Sequence, residues 1–378
     1  MSRSLSAPNG DALQDLRRRV ARWLVRATFG RSRSQPEHGL LPAEGIHRIL
    51  ICRVSHTLGN TLLLTPLLRE LQKIYPGAEV DVVTRSEVAE QIFGNFSSVR
   101  HIYRLPRHGV ASLWRLARIV RALRAQTYDL AIDPCVCSQS DRIGVLAARA
   151  TRKLGYLAPG KSGTLSHRIP MPANLRHAGQ LPVYLLRAAT GHCVHAPYPP
   201  LDVRLTPVER EFGADLLDAL TSTRATLKPV IGLFAGATGP KRLGAEWWQR
   251  FALRLSERAP DIDLVEIVPV SGTALLGNGV PTFYSSDLRR LTCVLSGLSM
   301  FVSADCGVMH LACASGTPTV GLFAVTDVRE WGPYGIDDTA IEIGARTPEQ
   351  VADGLPLSAP RAHAFGSAAS YRQARHHT

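Results

Sequence analysis

SADCGVMHLACASGTPTVGLFAVT, residues 303–326, is the stretch from which the rest of the chain can be ordered. The apolar run Met300 to Ala304 precedes Asp305, Cys306 and Gly307. A short helical stretch then carries His310, and Thr317-Pro318 leads into a second apolar run, Thr319 to Ala324. The order is strand, loop, helix, strand. Backbone N–H groups at such a loop and helix start form a ready anion site. Asp305 and His310 are placed to grip a sugar or a diphosphate. A plain βαβ turn with Asp305 as helix cap fits the same residues. Both readings stand on this stretch alone.

The same alternation runs outward in both directions. His47 to Val54 (HRILICRV) has the pattern of a buried strand. A loop at Ser55 to Gly59 follows, then Thr61 to Tyr75 at helical spacing, with Pro66 in its first turns and Pro76-Gly77 as a stop. Glu79 to Thr84, Val99 to Leu105 and Tyr128 to Asp133 read as further strands. Helices at Ser86 to Phe93 and Ala111 to Gln126 separate them, and the second is basic. Thr206-Pro207-Val208-Glu209 is a capping box that starts a helix to about Leu220. A second series opens with a strand at Pro229 to Ala235 and a glycine-rich basic loop, Gly236 to Gly244. A helix at Ala245 to Arg258, strands at Ile262 to Val268 and Val280 to Tyr284, and a helix at Asp287 to Leu298 capped by Ser285 or Ser286 lead into residues 303–326. Alternation of this kind predicts α/β architecture: two doubly wound parallel sheets, with ligands beyond the carboxyl ends of the strands.

The expected organisation is a basic leader and linker over 1–46, a first domain over 47–222, a second over 223–349 and a low-complexity tail over 350–378. Within the leader, Leu16 to Arg33 holds seven arginines and no acid, and Leu13, Leu16, Val20, Trp23, Leu24 and Ala27 recur at helical spacing. This predicts an amphipathic helix over 11–33 lying on a membrane surface. A solvated helix packed on the body is the plainer alternative. The formal charge of +13 favours anionic partners. No nucleic-acid signature appears, so nucleic acid is not expected. Seven cysteines, odd in number and mostly in apolar segments, predict reduced, buried thiols in a cytoplasmic protein. No secretory signal or membrane-spanning run is read. Cys135-Val-Cys137 lacks the neighbours of a metal site, and no metal or cofactor is expected.

Three strand-end loops carry the chemistry: RVSHTLGNT at 53–61, GATGPKRLG at 236–244, and DCGVMH at 305–310, with Thr326-Asp327 and Trp331-Gly332-Pro333-Tyr334 beyond it. Together, over roughly 47–345, they resemble glycosyltransferase family 9, the lipopolysaccharide heptosyltransferase family. ILICRVSHTLGNTLLLTPLLREL is similar to the family's first block, and DCGVMHLACASGTPTVGLFAVTD to its third. The resemblance implies a GT-B fold, with two Rossmann-like domains facing across a cleft, the acceptor on the first and a nucleotide-sugar donor on the second. It implies inversion without a metal. Taken with the +13 charge and the basic leader, it points to a peripheral enzyme on the inner face of the cytoplasmic membrane, acting on an anionic glycolipid or lipopolysaccharide-type acceptor. Lys241 matches the lysine at the donor phosphate, and Arg242 assists it. Asp305 matches the aspartate that holds the sugar. Cys306 and Gly307 bring backbone N–H groups to the diphosphate. His310 and Thr326 match family positions on the same block.

The chain departs from the family at its base. Asn60 stands where the first block carries an aspartate, in a loop one residue longer, and an amide is no general base. Three readings follow. His56 in that loop takes the proton, as histidines titrating near pH ~6.5 do. Alternatively another carboxylate, Asp133 or Asp141, takes it. In the third reading the protein is a catalytically silent relative that binds nucleotide-sugar or glycolipid, with Asn60 serving as a helix cap. Glu266 lies within a strand pattern, and no acid follows it until Asp287, so the donor nucleotide stays open.

Overall fold

The computed structural model describes residues 39–106, 111–158, 161, 164–221, 228–270, 272–277 and 279–357. The expected leader helix over 11–33 and the tail beyond 357 lie outside these residues.

The chain divides into two units between Val203 and Arg204. The first holds six parallel strands, β1 (Arg48–Arg53), β2 (Glu79–Thr84), β3 (Val99–Arg104), β4 (Tyr128–Asp133), β5 (Ala150–Leu157) and β6 (His167–Pro170). They lie in the order β3-β2-β1-β4-β5-β6. Helices α1 (Leu58–Leu62), α2 (Thr65–Ile74), α3 (Ala89–Phe93), α4 (Ala111–Ala125), α5 (Gln139–Ala147) and α6 (Leu181–Thr190) link and flank them. The second unit repeats the plan. Its strands β7 (Val230–Phe234), β8 (Asp263–Val268), β9 (Thr282–Tyr284), β10 (Met300–Ala304), β11 (Thr319–Phe323) and β12 (Thr339–Glu342) lie in the order β12-β11-β10-β7-β8-β9. Its helices are α7 (Pro207–Thr221), α8 (Ala245–Arg258), α9 (Leu288–Ser296), α10 (Gly307–Ser315), α11 (Val328–Trp331) and α12 (Pro348–Asp353).

Both sheets are parallel throughout, and in each the order reverses beside the unit's first strand in sequence, β1 or β7. Such a switch point opens a crevice at the carboxyl ends of the strands. The central strands are buried on both faces and read as unbroken apolar runs, as in Ile49–Cys52 and Val230–Phe234. In the second unit Trp248, Phe251 and Leu255 of α8 pack into the core, and Trp247 stacks on Phe251 at 5.4 Å.

Several expectations are corrected. The helix foreseen over 61–75 is two, broken at Leu63–Leu64, because Pro66 belongs in a first turn, where no N–H is needed. Asp287, not Ser285 or Ser286, caps α9, its side chain accepting the Arg290 N–H at 2.9 Å. Gly39–Ile46 is no free linker: the Leu41 N–H donates to the Ala189 carbonyl at 2.7 Å, and Leu41 and Ile46 are buried. The expected tail begins too early, since α12 is closed by a full capping box on Thr347 and Gln350, and Val351, Ala352 and Leu355 are core residues. All seven cysteines are free, as expected, but only Cys52, Cys293 and Cys313 are buried.

The junction also moves. Helix α7, expected to close the first domain, packs on α9 and belongs to the second unit. Two contacts explain this. A methyl group placed on Gly213 would lie 1.9 Å from the Cys293 carbonyl oxygen, so the two helices cross in backbone contact. Arg289 then forks onto Glu209, Nε to Oε1 at 2.5 Å and Nη2 to Oε2 at 2.8 Å. Glu209 also accepts the Thr206 N–H, closing the capping box seen in the sequence. The Arg289 hydrogen bonds, first among the causes, hold the Glu209 carboxyl down at about 2. A depressed carboxyl stabilises the fold fully above its ordinary value and loses that contribution as pH falls through the depressed one. Arg289→Ala is therefore expected to lower stability by about 1 kcal/mol at neutral pH for this partly exposed pair. The gap to wild type should narrow as pH drops from about 4.5 to about 2. Thermal melts of both proteins across that window test it; a gap independent of pH would sink the assignment.

Candidate donor and acceptor sites

In the second unit the site is built at the carboxyl ends of β7, β10 and β11. The glycine-rich loop after β7 closes in a 3₁₀ turn, Gly239–Lys241, with Gly239 at φ +63°, a conformation other residues rarely adopt. This turn brings Lys241 to Asp305, which follows β10. Lys241 Nζ lies 2.6 Å from Asp305 Oδ2, with side chains 35% and 5% exposed. The Thr326 hydroxyl, beyond β11, donates to the same oxygen at 2.5 Å. Residues from two other loops, Lys241 and Thr326, thus meet on the Asp305 carboxylate.

Helix α10 starts beside them. Cys306 is its cap residue in extended conformation, and Gly307 opens the first turn. The Cys306 thiol turns inward to Ser303 Oγ at 3.3 Å, and burial pushes it up, so it stays protonated at neutral pH. Its expected role rests on the backbone, which this arrangement leaves at the helix mouth. His310 is buried on the same helix between Met309 and Leu311. That position suits shaping of the helix rather than contact with a ligand in solvent.

A cavity of about 440 Å³ adjoins the loop, lined by Ala235 to Gly239, Arg242, Pro269, Gly272, Thr273 and Leu275. Arg242 is exposed at its edge. One residue organises this wall, and sequence reading left it unassigned. Glu266, buried in β8, accepts the Leu275 and Leu276 N–H groups at 2.6 and 3.0 Å. The acid of this region is spent on holding the loop. Its signal was a carboxylate within an otherwise apolar strand, which must find partners when buried.

In the first unit the loop after β1 holds His56 and Asn60. The Asn60 side chain is fixed at both ends: Oδ1 accepts from Arg53 Nη2 at 2.8 Å, and Nδ2 donates to Thr57 Oγ1 at 2.8 Å. Behind it stands Asp141 on α5. Its Oδ1 accepts the Val54 N–H at 2.7 Å and its Oδ2 meets Arg53 Nη1 at 3.4 Å. Burial raises the Asp141 carboxyl and Arg53 opposes the rise. With its side chain 0% exposed, Asp141 is a clamp on the loop and not a base for a substrate in solvent. Asp133, the other candidate, is excluded by its partners. Arg142 Nε and Lys161 Nζ each approach Oδ2 at 2.7 Å, and Lys161 also donates to the Cys135 carbonyl. Buried and held by two cations, this carboxylate does not face a substrate in solvent. His56 is exposed on the loop. Of the base candidates named in the sequence, it alone meets solvent.

The family model of glycosyltransferase family 9 (heptosyltransferase) matches residues 285–353. The resemblance to glycosyltransferase family 9 holds. Asp305, Cys306, Gly307, His310 and Thr326 lie within the matched segment; Lys241 lies before it. Among solved structures, a glycosyl transferase family 9 protein from Veillonella parvula DSM 2008 aligns with TM-score 0.67 at 17% identity, over 80% of this chain and 87% of that one. E. coli heptosyltransferase WaaC with ADP aligns with TM-score 0.62 at 20% identity, over 81% and 97%. E. coli ADP-heptose lps heptosyltransferase II aligns with TM-score 0.62 at 16% identity, over 81% and 96%. At these identities the likeness speaks for the fold, which is GT-B. A search of curated proteins gives no match.

Proposed function

We propose that this protein is an inverting glycosyltransferase that moves a sugar from a nucleotide diphosphate donor to a lipid-linked, lipopolysaccharide-type acceptor at the inner face of the cytoplasmic membrane. The observation that carries the reading is the convergence of Lys241, Thr326 and Asp305 at the mouth of α10. The acceptor hydroxyl oxygen attacks the anomeric carbon while the bond from that carbon to the diphosphate oxygen breaks. His56 takes the hydroxyl proton. Arg53 and Thr57 hold Asn60 so that its amide orients the loop or the acceptor. Charge gathers on the departing diphosphate, and Lys241, Arg242 and the N–H groups of α10 offset it in place of a metal ion. Asp305 holds Lys241 in place and presents its other oxygen to the sugar. The 440 Å³ cavity is large enough for a nucleoside. ADP, the nucleotide bound in the similar WaaC structure, is the first donor nucleotide to try.

Asn60 favours one alternative, a silent relative that binds donor without turning it over. The two are separated by adding ADP-, UDP- and GDP-sugars with glycolipid acceptors. A true donor at about a hundred times its Kd stabilises the fold by about 2.7 kcal/mol. Release of nucleoside diphosphate that depends on acceptor, lost in Asp305→Ala, is the result expected of the enzyme. Stabilisation without release selects the silent reading. Neither stabilisation nor release with any donor would overturn both.

A further inference from the structure

Helix α4 of the first unit is not used by the site. It spans Ala111–Ala125, about 22 Å at 1.5 Å per residue. At 100° per residue, Trp114, Arg118 and Arg121 fall within about 60° of one another, flanked by Arg115 and Arg124. All five are exposed, Trp114 at 83%, while Ile119, Val120, Ala122 and Leu123 are partly buried toward the sheet. Leu123 packs on the core beside β1 and β4. Leu116, 40% exposed, lies on the opposite side of the helix, at the border of the face turned to the sheet. The helix holds no acid, and none of its four arginines forms an ion pair with a described residue. Arg149 adds a further cation at the helix end, donating to the Arg124 carbonyl at 3.3 Å.

We infer that α4 docks the first unit on an anionic phospholipid bilayer. Its arginines meet lipid phosphates, and Trp114 enters the interface between headgroups and acyl chains. Two features favour a bilayer over other polyanions. The outward face joins cations to an exposed Trp, the mixture an interfacial helix needs. Its placement is also apt. Because α4 follows β3 in a parallel sheet, it begins at the strand-end edge, the edge that carries the loop of His56 and Asn60. Trp114, on the first turn, marks that edge. A membrane engaged there would bring a lipid-linked acceptor beside the loop. Among the described residues no helix is long and apolar enough to cross a membrane. The contact is therefore one of lying on the surface, separate from anything residues 11–33 contribute.

This deepens the membrane part of the proposed function, and vesicle binding is measured without sugars, so the two can fail separately. The full chain is incubated with vesicles of phosphatidylcholine containing about 30% phosphatidylglycerol, and the bound fraction is read by co-sedimentation. Arg118→Glu with Arg121→Glu should lower the partition coefficient about 25-fold or more, at roughly fivefold per lost cation. Trp114→Ser should lower it about tenfold. Arg290→Glu with Arg346→Glu, the same charge change on the second unit, should cost less than about twofold by comparison. Circular dichroism confirms that each variant is folded. Wild-type binding by both helix variants, or equal loss in the control, overturns the inference. So does binding of an oligonucleotide through Arg118 and Arg121 with no binding to vesicles.

Discussion

Lys241→Met should lower the rate of sugar transfer by about 10²- to 10³-fold, the usual cost of removing one preorganised partner of developing charge. The side chain keeps its length and loses its cation. Two effects act together. The departing diphosphate loses the charge that grows in value as the bond breaks, so kcat falls. The Asp305 carboxylate, 5% exposed, then keeps its Thr326 hydrogen bond but loses the cation at 2.6 Å. Its uncompensated negative charge faces an anionic donor, so donor KM rises as well. Lys241→Arg should recover part of kcat, since charge returns with altered geometry. Steady-state kinetics with the donor that stabilises the protein separate the two effects. Both constants unchanged within about twofold would remove Lys241 from the reaction.

His56→Ala should cost about 10²- to 10⁴-fold in kcat, the range for a positioned general base. Asn60→Asp supplies an internal check. A carboxylate at that position would stand about 2.8 Å from Arg53 Nη2, where the amide oxygen now is. In the His56→Ala background it should restore activity about tenfold, because a carboxylate accepts a proton and an amide does not. A His56→Ala protein with wild-type kcat would place the base elsewhere. Donor binding without turnover, in wild type and Asn60→Asp alike, would favour the silent relative.

Much of the fold is legible in the residues because its signals are local. β1, β4, β7, β10 and β11 are short apolar runs bounded by polar loops, and a strand buried on both faces can hardly read otherwise. The capping box at Thr206 and Glu209 is a contact three residues apart and needs nothing else to form. β5 and β6 are harder to see. β5 carries Arg152 and Lys153 in its middle, which erases the apolar pattern. Lys153 is tolerated because its ammonium donates to the Leu146 carbonyl at 2.9 Å, a partner set by packing. Burial lowers its pKa in turn. The roles of Glu266 and Asp141 are hidden for the same reason: each carboxylate acts by accepting N–H groups from a loop that pattern alone does not bring near it.

Residues read in order were enough for two parallel α/β units and for a strand, loop, helix, strand order around Asp305 to His310, since turn chemistry and apolar period act over a few neighbours. Tertiary structure alone decided that Asp141 is a clamp, that Asp133 is neutralised by Arg142 and Lys161, and that α7 belongs to the second unit. Those outcomes depend on which charges share a buried space and how closely two backbones cross. A carboxylate's chemistry follows from what surrounds it, and in a folded chain the surroundings come from residues far away in sequence.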